Sequence, residues 1–138
     1  MEYGVVLTLA GQPLSERLLS IDRQMTALLN RYHPDAVAIE ELFFCKNVTT
    51  ALLVGQARGV TILGAARTGV PVFDYKPMVI KQAITGYGKA SKMQMQSMVQ
   101  MLLNIEEIPK PDDAADAVAV AVCHLHNRRL ADLIDNAD

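Results

Sequence analysis

The sequence predicts an α/β domain, and three stretches predict it. Ala36 to Ile39 is an unbroken apolar run that ends in two acids, Glu40 and Glu41, as a strand covered on both faces would. Upstream, Leu18, Ile21, Met25, Leu28 and Tyr32 recur at helical spacing and mark an amphipathic helix. Downstream, Ala114 to Val122 is small and apolar nearly all round, which indicates a buried helix. Helices before and after a buried strand are the arrangement of an open sheet with helices packed on it.

At 138 residues and 51% hydrophobic, the chain is expected to form one domain with a real core. With no Trp and three Phe, packing must rely on Leu, Val, Ile, Ala and Met. No apolar run is read as approaching the roughly 20 residues that cross a bilayer, so no membrane association is expected. The N-terminus lacks a basic region followed by an apolar stretch, which argues against a signal peptide. Cys45 and Cys123 stand apart, outside any C-x-x-C spacing, and suit reduced thiols in the cytoplasm.

In chain order, Tyr3 to Leu9 reads as a strand and Ala10 to Pro13 as a turn. Ser15 is the expected N-cap of the first helix, with Glu16 in its first turn and Pro34 as its stop. His33 suits the helix end rather than a ligand position. The buried strand carrying Glu40 follows. Asn47 to Thr68 is a second, less amphipathic helix that contains Gly55, Gly59 and Gly64. Each glycine costs about 1 kcal/mol relative to Ala, and close approach of another helix would repay it. That helix could belong to the same subunit or to a second one, with a homodimer face the preferred reading.

Val70 to Tyr75 is another short strand, near an edge given Pro71. Pro77 opens a short helix that ends before Gly86. The loop G-Y-G-K-A-S-K, residues 86 to 92, is flexible and basic, and Ser91 suits the cap of the helix beginning at Lys92. In that helix Met95, Val99 and Leu102 form the core stripe, and Gln94, Gln96 and Gln100 are expected to face water. Asp112 sits where an N-cap belongs for the last helix, and from Arg128 onward the polar tail is expected to fray.

The net charge of −2 argues against a nucleic-acid binder, but its distribution does not. Between Lys46 and Lys92 there are seven basic residues (Lys46, Arg58, Arg67, Lys76, Lys81, Lys89, Lys92) and one acid, Asp74. The acids gather outside that span, notably Glu40, Glu41, Asp112, Asp113 and Asp116. Such a distribution suits a site that attracts a polyanion and holds metal, and it equally suits ordinary solvated faces.

Three carboxylates form a candidate constellation. Glu40 ends a buried strand, where open sheets place their ligand crevice. Asp113 and Asp116 are i and i+3 on the last helix and so share a face. Taken alone, that pair could simply serve the helix dipole. With Glu40, hard oxygen donors without His or Cys point to Mg²⁺ or Mn²⁺. Two such ions about 4 Å apart can activate water and stabilise the leaving oxygen of a phosphodiester.

The segments A-I-E-E-L-F-F-C-K-N, L-L-V-G-Q-A-R-G-V, V-I-K-Q-A-I-T-G-Y-G-K-A-S-K-M-Q-M-Q and P-D-D-A-A-D-A-V-A-V-A closely resemble the RuvC family. The resemblance runs in order from Tyr3 to about His126. It implies a mixed sheet flanked by helices with an RNase H-like fold, and a dimeric endonuclease that resolves four-way (Holliday) junctions in recombination and repair. It implies that Glu40, Asp113 and Asp116 are three of four metal-binding carboxylates, with Mg²⁺ as cofactor and Mn²⁺ as substitute. Lys81 and Lys92 match the family's active-site and junction-contacting lysines. Phe43 matches the aromatic at the junction's base step, and Arg58 lies on the helix resembling the dimer element. The basic residues Lys46, Lys76 and Lys89 complete the expected DNA-binding set. A branch-migration complex is the further partner the family implies.

The family pattern opens with a strand carrying an aspartate in an I-D-P-G context. Here no aspartate precedes Asp22, which lies in the first helix. The chain is therefore expected to be N-terminally truncated relative to that pattern, lacking two strands and one ligand. In the family's strand order, 3-2-1-4-5, those strands sit between this chain's first strand and the Glu40 strand. The gap is expected to be closed by rearrangement, by another chain, or not at all, and catalysis is expected to suffer. The competing functions are a non-cleaving junction-binding or regulatory dimerisation module, and another RNase H-like nuclease acting on RNA or an RNA–DNA hybrid.

Overall fold

The computed structural model describes residues 1–41 and 47–135. Phe43, Cys45 and Lys46 lie outside the described residues. The elements in order are α1 (Leu14–Tyr32), β1 (Val37–Glu40), α2 (Val48–Arg67), β2 (Val72–Tyr75), α3 (Pro77–Thr85), α4 (Lys92–Leu103) and α5 (Asp112–Asp135). The described sheet has two strands, β1 and β2. Val37 N–H donates to the Pro71 carbonyl at 2.9 Å and Glu41 N–H to the Tyr75 carbonyl at 2.8 Å. Both strands thus advance together, and the pair is parallel.

The described residues fall into two compact units. One draws on Met1–Val5, Ala38–Glu41 and Asp74–Asp138. Its core is Ile80 and Ile84 of α3, Val99 of α4, and Val118, Ala119, Val120, Val122 and Cys123 of α5. Ala38 and Tyr75 from the strands pack against it. Tyr75 Oη and His124 Nδ1 lie 2.8 Å apart, so this buried histidine ties α5 to the end of β2. Met95 and Met98 also pack on the core, the adaptable filling role expected of them. Local chemistry sets the helix ends. Pro77 fixes the first turn of α3, and Gly86 closes it in the left-handed region at φ 75°.

The other unit draws on Val6–Val37 and Leu42–Phe73 and is built on α1 packed against α2. Asn47 caps α2, its Oδ1 accepting from the Thr49 and Thr50 amides. Gly64 and Ala65 are the buried part of α2. A Cβ at Gly64 would lie 4.0 Å from Asp22 Oδ1 and Leu29 Cδ1, so this glycine does face another helix. Among the described residues nothing lies within 4 Å of a Cβ at Gly59. Arg67 of α2 pairs with Asp22 of α1.

Several expectations are corrected. Tyr3 to Leu9 forms no strand. A strand needs a ladder partner, and β1 and β2 pair with each other; the segment is held instead by Gln24 Nε2 donating to the Leu7 carbonyl and Arg17 Nε to Thr8 Oγ1. Pro13, not Ser15, occupies the N-cap of α1, because its carbonyl already accepts from the Glu16 and Arg17 amides. On the expected stripe, Leu28 and Tyr32 are exposed, and Leu29 is the buried residue of α1 because it meets Gly64. Leu102 is likewise exposed. Gln96 and Gln100 do not simply face water: Gln100 Nε2 donates to the Glu106 carbonyl, and Gln96 to Asp112. Asp112 is the first residue of α5 rather than its cap. At 20 residues, α2 is long and apolar enough to meet the length and composition of a bilayer span, contrary to the sequence reading. Arg58 near its midpoint would be costly in a bilayer.

Candidate active site

A cavity of about 220 Å³ opens among the end of β1, α3, α4 and α5. Its polar lining is Glu40, Lys81, Lys92, Gln96 and Asp116, set against an apolar wall that includes Ile80, Val99 and Val120. Each polar group has a local reason for its place. Glu40 is the last residue of β1, so the strand delivers it to the sheet's carboxyl end. Lys81 lies one turn into α3, whose start is set by Pro77. Lys92 opens α4 and is fixed by a capping box: Ser91 Oγ accepts from the Gln94 amide at 3.2 Å, and Gln94 Oε1 accepts from the Ser91 amide at 2.8 Å. Asp112, Asp113 and Asp116 lie in the first turns of α5, where the dipole favours carboxylates.

The electrostatics link these groups. The Glu40 carboxyl is pushed above its usual range, first by local burial, then by the negative charge of Asp116, with Lys81 partly offsetting both. Glu40 remains exposed by area, so this burial is partial. Lys92 Nζ is 2.9 Å from Asp112 Oδ2 and 3.8 Å from Asp116 Oδ2. The bond to Asp112 is the main cause holding the Lys92 ammonium above its ordinary pKa, and the same bond holds Asp112 below its own. Gln96 Nε2 reaches the other oxygen of Asp112 at 3.4 Å.

The cavity brings together Glu40, Asp116, Lys81 and Lys92 of the expected set. Asp113 does not line it, though its charge reaches Lys92. Lys76 and Lys89 are exposed, Lys76 at the N-cap of α3 and Lys89 in the loop before α4. Arg58 is half-buried on α2. Asp112 and Gln96 were missed as site residues. The doublet Asp112-Asp113 was the available signal for the first; nothing in the sequence marked the second, whose spacing alone suggested a solvated face.

The donor set fits a hard cation in chemistry. Glu40 and Asp116 are close enough for one to raise the other's pKa, and a cation between carboxylates relieves that repulsion. Among the described residues, no group of three or more His, Cys, Asp or Glu is gathered for a metal. Mg²⁺ does not require one, because it commonly takes one or two carboxylates and completes its shell with waters and substrate phosphate.

Comparison with known proteins agrees. The family model described as "Crossover junction endodeoxyribonuclease RuvC" matches residues 1–124. The protein of that name from Ruminiclostridium cellulolyticum is 48% identical over 136 residues, covering 99% of this chain and 82% of the relative. The one from Roseiflexus sp. (strain RS-1) is 56% identical over 126 residues, covering 91% of this chain and 75% of the relative. Among solved structures, T. thermophilus RuvC in complex with Holliday junction substrate superposes with a TM-score of 0.88 at 39% identity, covering 93% of this chain and 78% of that one. The chain belongs to the RuvC family of crossover junction endodeoxyribonucleases, metal-dependent nucleases with an RNase H-like fold.

Proposed function

We propose that this chain resolves four-way DNA junctions by metal-dependent phosphodiester hydrolysis, acting in the cytoplasm as a homodimer. The observation that carries the reading is the convergence of Glu40, Asp116, Lys81 and Lys92 on one cavity. Glu40 and Asp116, with Asp113 three residues before Asp116 on α5, would hold Mg²⁺ or Mn²⁺. The chemistry such an ion supplies is Lewis-acid polarisation of the phosphodiester and acidification of the attacking water. Lys81 favours the charged form of Glu40, and Lys81 and Lys92 place cations where charge develops on the phosphate. The exposed Lys76 and Lys89 would grip the backbone, and Lys46 and Arg58 are the other basic residues of the proposed DNA-binding set. Phe43 would stack on the opened base step.

A four-way junction is resolved by two opposed cuts, so two sites must act together. The exposed residues Val48, Leu52 and Leu63 lie with Gly55 and Gly59 along α2 at i, i+4, i+7, i+11 and i+15. A row of apolar and small residues at that spacing suits close packing on a second copy. A branch-migration complex would then act on the same junction.

A second reading is favoured by one observation. Lys92 Nζ, 3.8 Å from Asp116 Oδ2, already offers that carboxylate a cation, as in a module that binds junctions without cutting. Nicking of a synthetic four-way junction, a linear duplex and an RNA–DNA hybrid, each with Mg²⁺ and with EDTA, separates the readings. Mg²⁺-dependent paired nicks confined to the junction support the first. Binding with no nicks establishes the second, and equal cleavage of the hybrid overturns both.

A further inference from the structure

We propose that Asp112 is a positioning residue that draws Lys92 off Asp116 and so keeps Asp116 open to a metal ion. The inference rests on the site reading above and concerns a residue outside the expected ligand set. Asp112 and Asp116 are i and i+4 on α5, so their carboxylates stand one turn apart on the same side of the helix. One ammonium reaches both, unequally: Lys92 Nζ is 2.9 Å from Asp112 Oδ2 and 3.8 Å from Asp116 Oδ2. The first is a short charge-assisted hydrogen bond, and the second is an ion pair beyond hydrogen-bond range.

Asp112 is also oriented for the task. Its other oxygen lies 3.4 Å from Gln96 Nε2, and Gln96 lines the cavity from α4, one turn beyond Lys92. The chain Gln96–Asp112–Lys92 thus links α4 to the start of α5 on the cavity's rim. Asp112 itself does not line the cavity, and its side chain is 68% exposed. It is therefore placed to hold the lysine without taking a share of the ion. Lys92 and a metal ion compete for the same Asp116 lone pairs. With Asp112 present, the lysine has a nearer acceptor; without it, Asp116 is the remaining carboxylate with which Lys92 is ion-paired.

The test is Mn²⁺ titration of the full chain without DNA, with free Mn²⁺ followed by its electron paramagnetic resonance signal. Asp112→Asn keeps size and one acceptor oxygen but removes the charge. It should weaken Mn²⁺ binding roughly three- to fivefold, the scale of one exposed ion pair. Asp112→Glu should restore most of that loss. In a Lys92→Met background, adding Asp112→Asn should change nothing, because Asp112 acts through Lys92. An equal loss in both backgrounds would mean that Asp112 contributes only its field, and no loss in either would mean that it does not matter; both overturn the proposal. Asp116→Asn separately tests the underlying site. If it binds Mn²⁺ as tightly as the unaltered chain, the site reading fails, whatever Asp112 does.

Discussion

Val99→Ala tests whether the site stands on a packed core. Val99 is 2% exposed, belongs to the cluster that joins α3, α4 and α5, and lines the cavity that holds Glu40 and Asp116. The substitution removes two methyl-sized groups, worth about 0.8 kcal/mol each in transfer. A void adds to this in proportion to the volume that neighbours fail to fill. Here the void adjoins an open, partly polar cavity, so that addition should be modest. The expected loss is about 2 kcal/mol. Urea unfolding followed by circular dichroism should show a lower midpoint with an unchanged slope. Met93→Ala is the control: Met93 is 77% exposed on the same helix and should cost under about 0.5 kcal/mol. A Val99→Ala loss no larger than that of Met93→Ala would refute the packing described for α4, and with it the rigid placement of Lys92.

Further outcomes follow from single contacts. Ser91→Ala removes the capping box at the start of α4 and should cost about 1 kcal/mol, read from the same urea curves. The Glu40 carboxyl, followed by ¹³C NMR, should titrate above its ordinary value. Asp116→Asn removes a repelling charge and should lower that pKa, whereas Lys81→Met removes a favourable charge and should raise it. Because the folded-state pKa is raised, the stability contributed by Glu40 is present below its unfolded value and is lost as pH rises through the folded one. Metal binding runs the other way and should weaken as pH falls through that pKa, because the proton competes for the same oxygens. Replacing Lys76 and Lys89 with Met should weaken junction binding without moving the cut, and lower the slope of log affinity against log salt by about 1 per lysine that meets a phosphate.

What the sequence disclosed divides by the range of the interaction. Pro77, Gly86, Ser91 and Asn47 act on their own helix ends, and those ends were legible to within a residue. The family and its RNase H-like fold were legible from four spaced segments, and the family match bears them out. Tyr3 to Leu9 has the residues of a strand, but pairing depends on a partner that composition cannot supply. Leu29 was hidden for the same reason, since its burial comes from the approach of Gly64 on α2. At the site, residue type pointed to Glu40 and Asp116. The bond of Asp112 to Lys92, 20 positions away in sequence, belongs to tertiary structure and left only an acidic doublet as a trace.

The most direct measurement is single-turnover nicking of a synthetic four-way junction with Mg²⁺, comparing the unaltered chain with Glu40→Gln. The substitution keeps size and removes one charged oxygen donor from the cavity. Nicking should fall on the order of 100-fold or more, while binding to the same junction in EDTA stays within about threefold, because the exposed lysines proposed to grip the backbone are untouched. Nicking at the unaltered rate in Glu40→Gln would contradict the assignment of the reaction to this cavity.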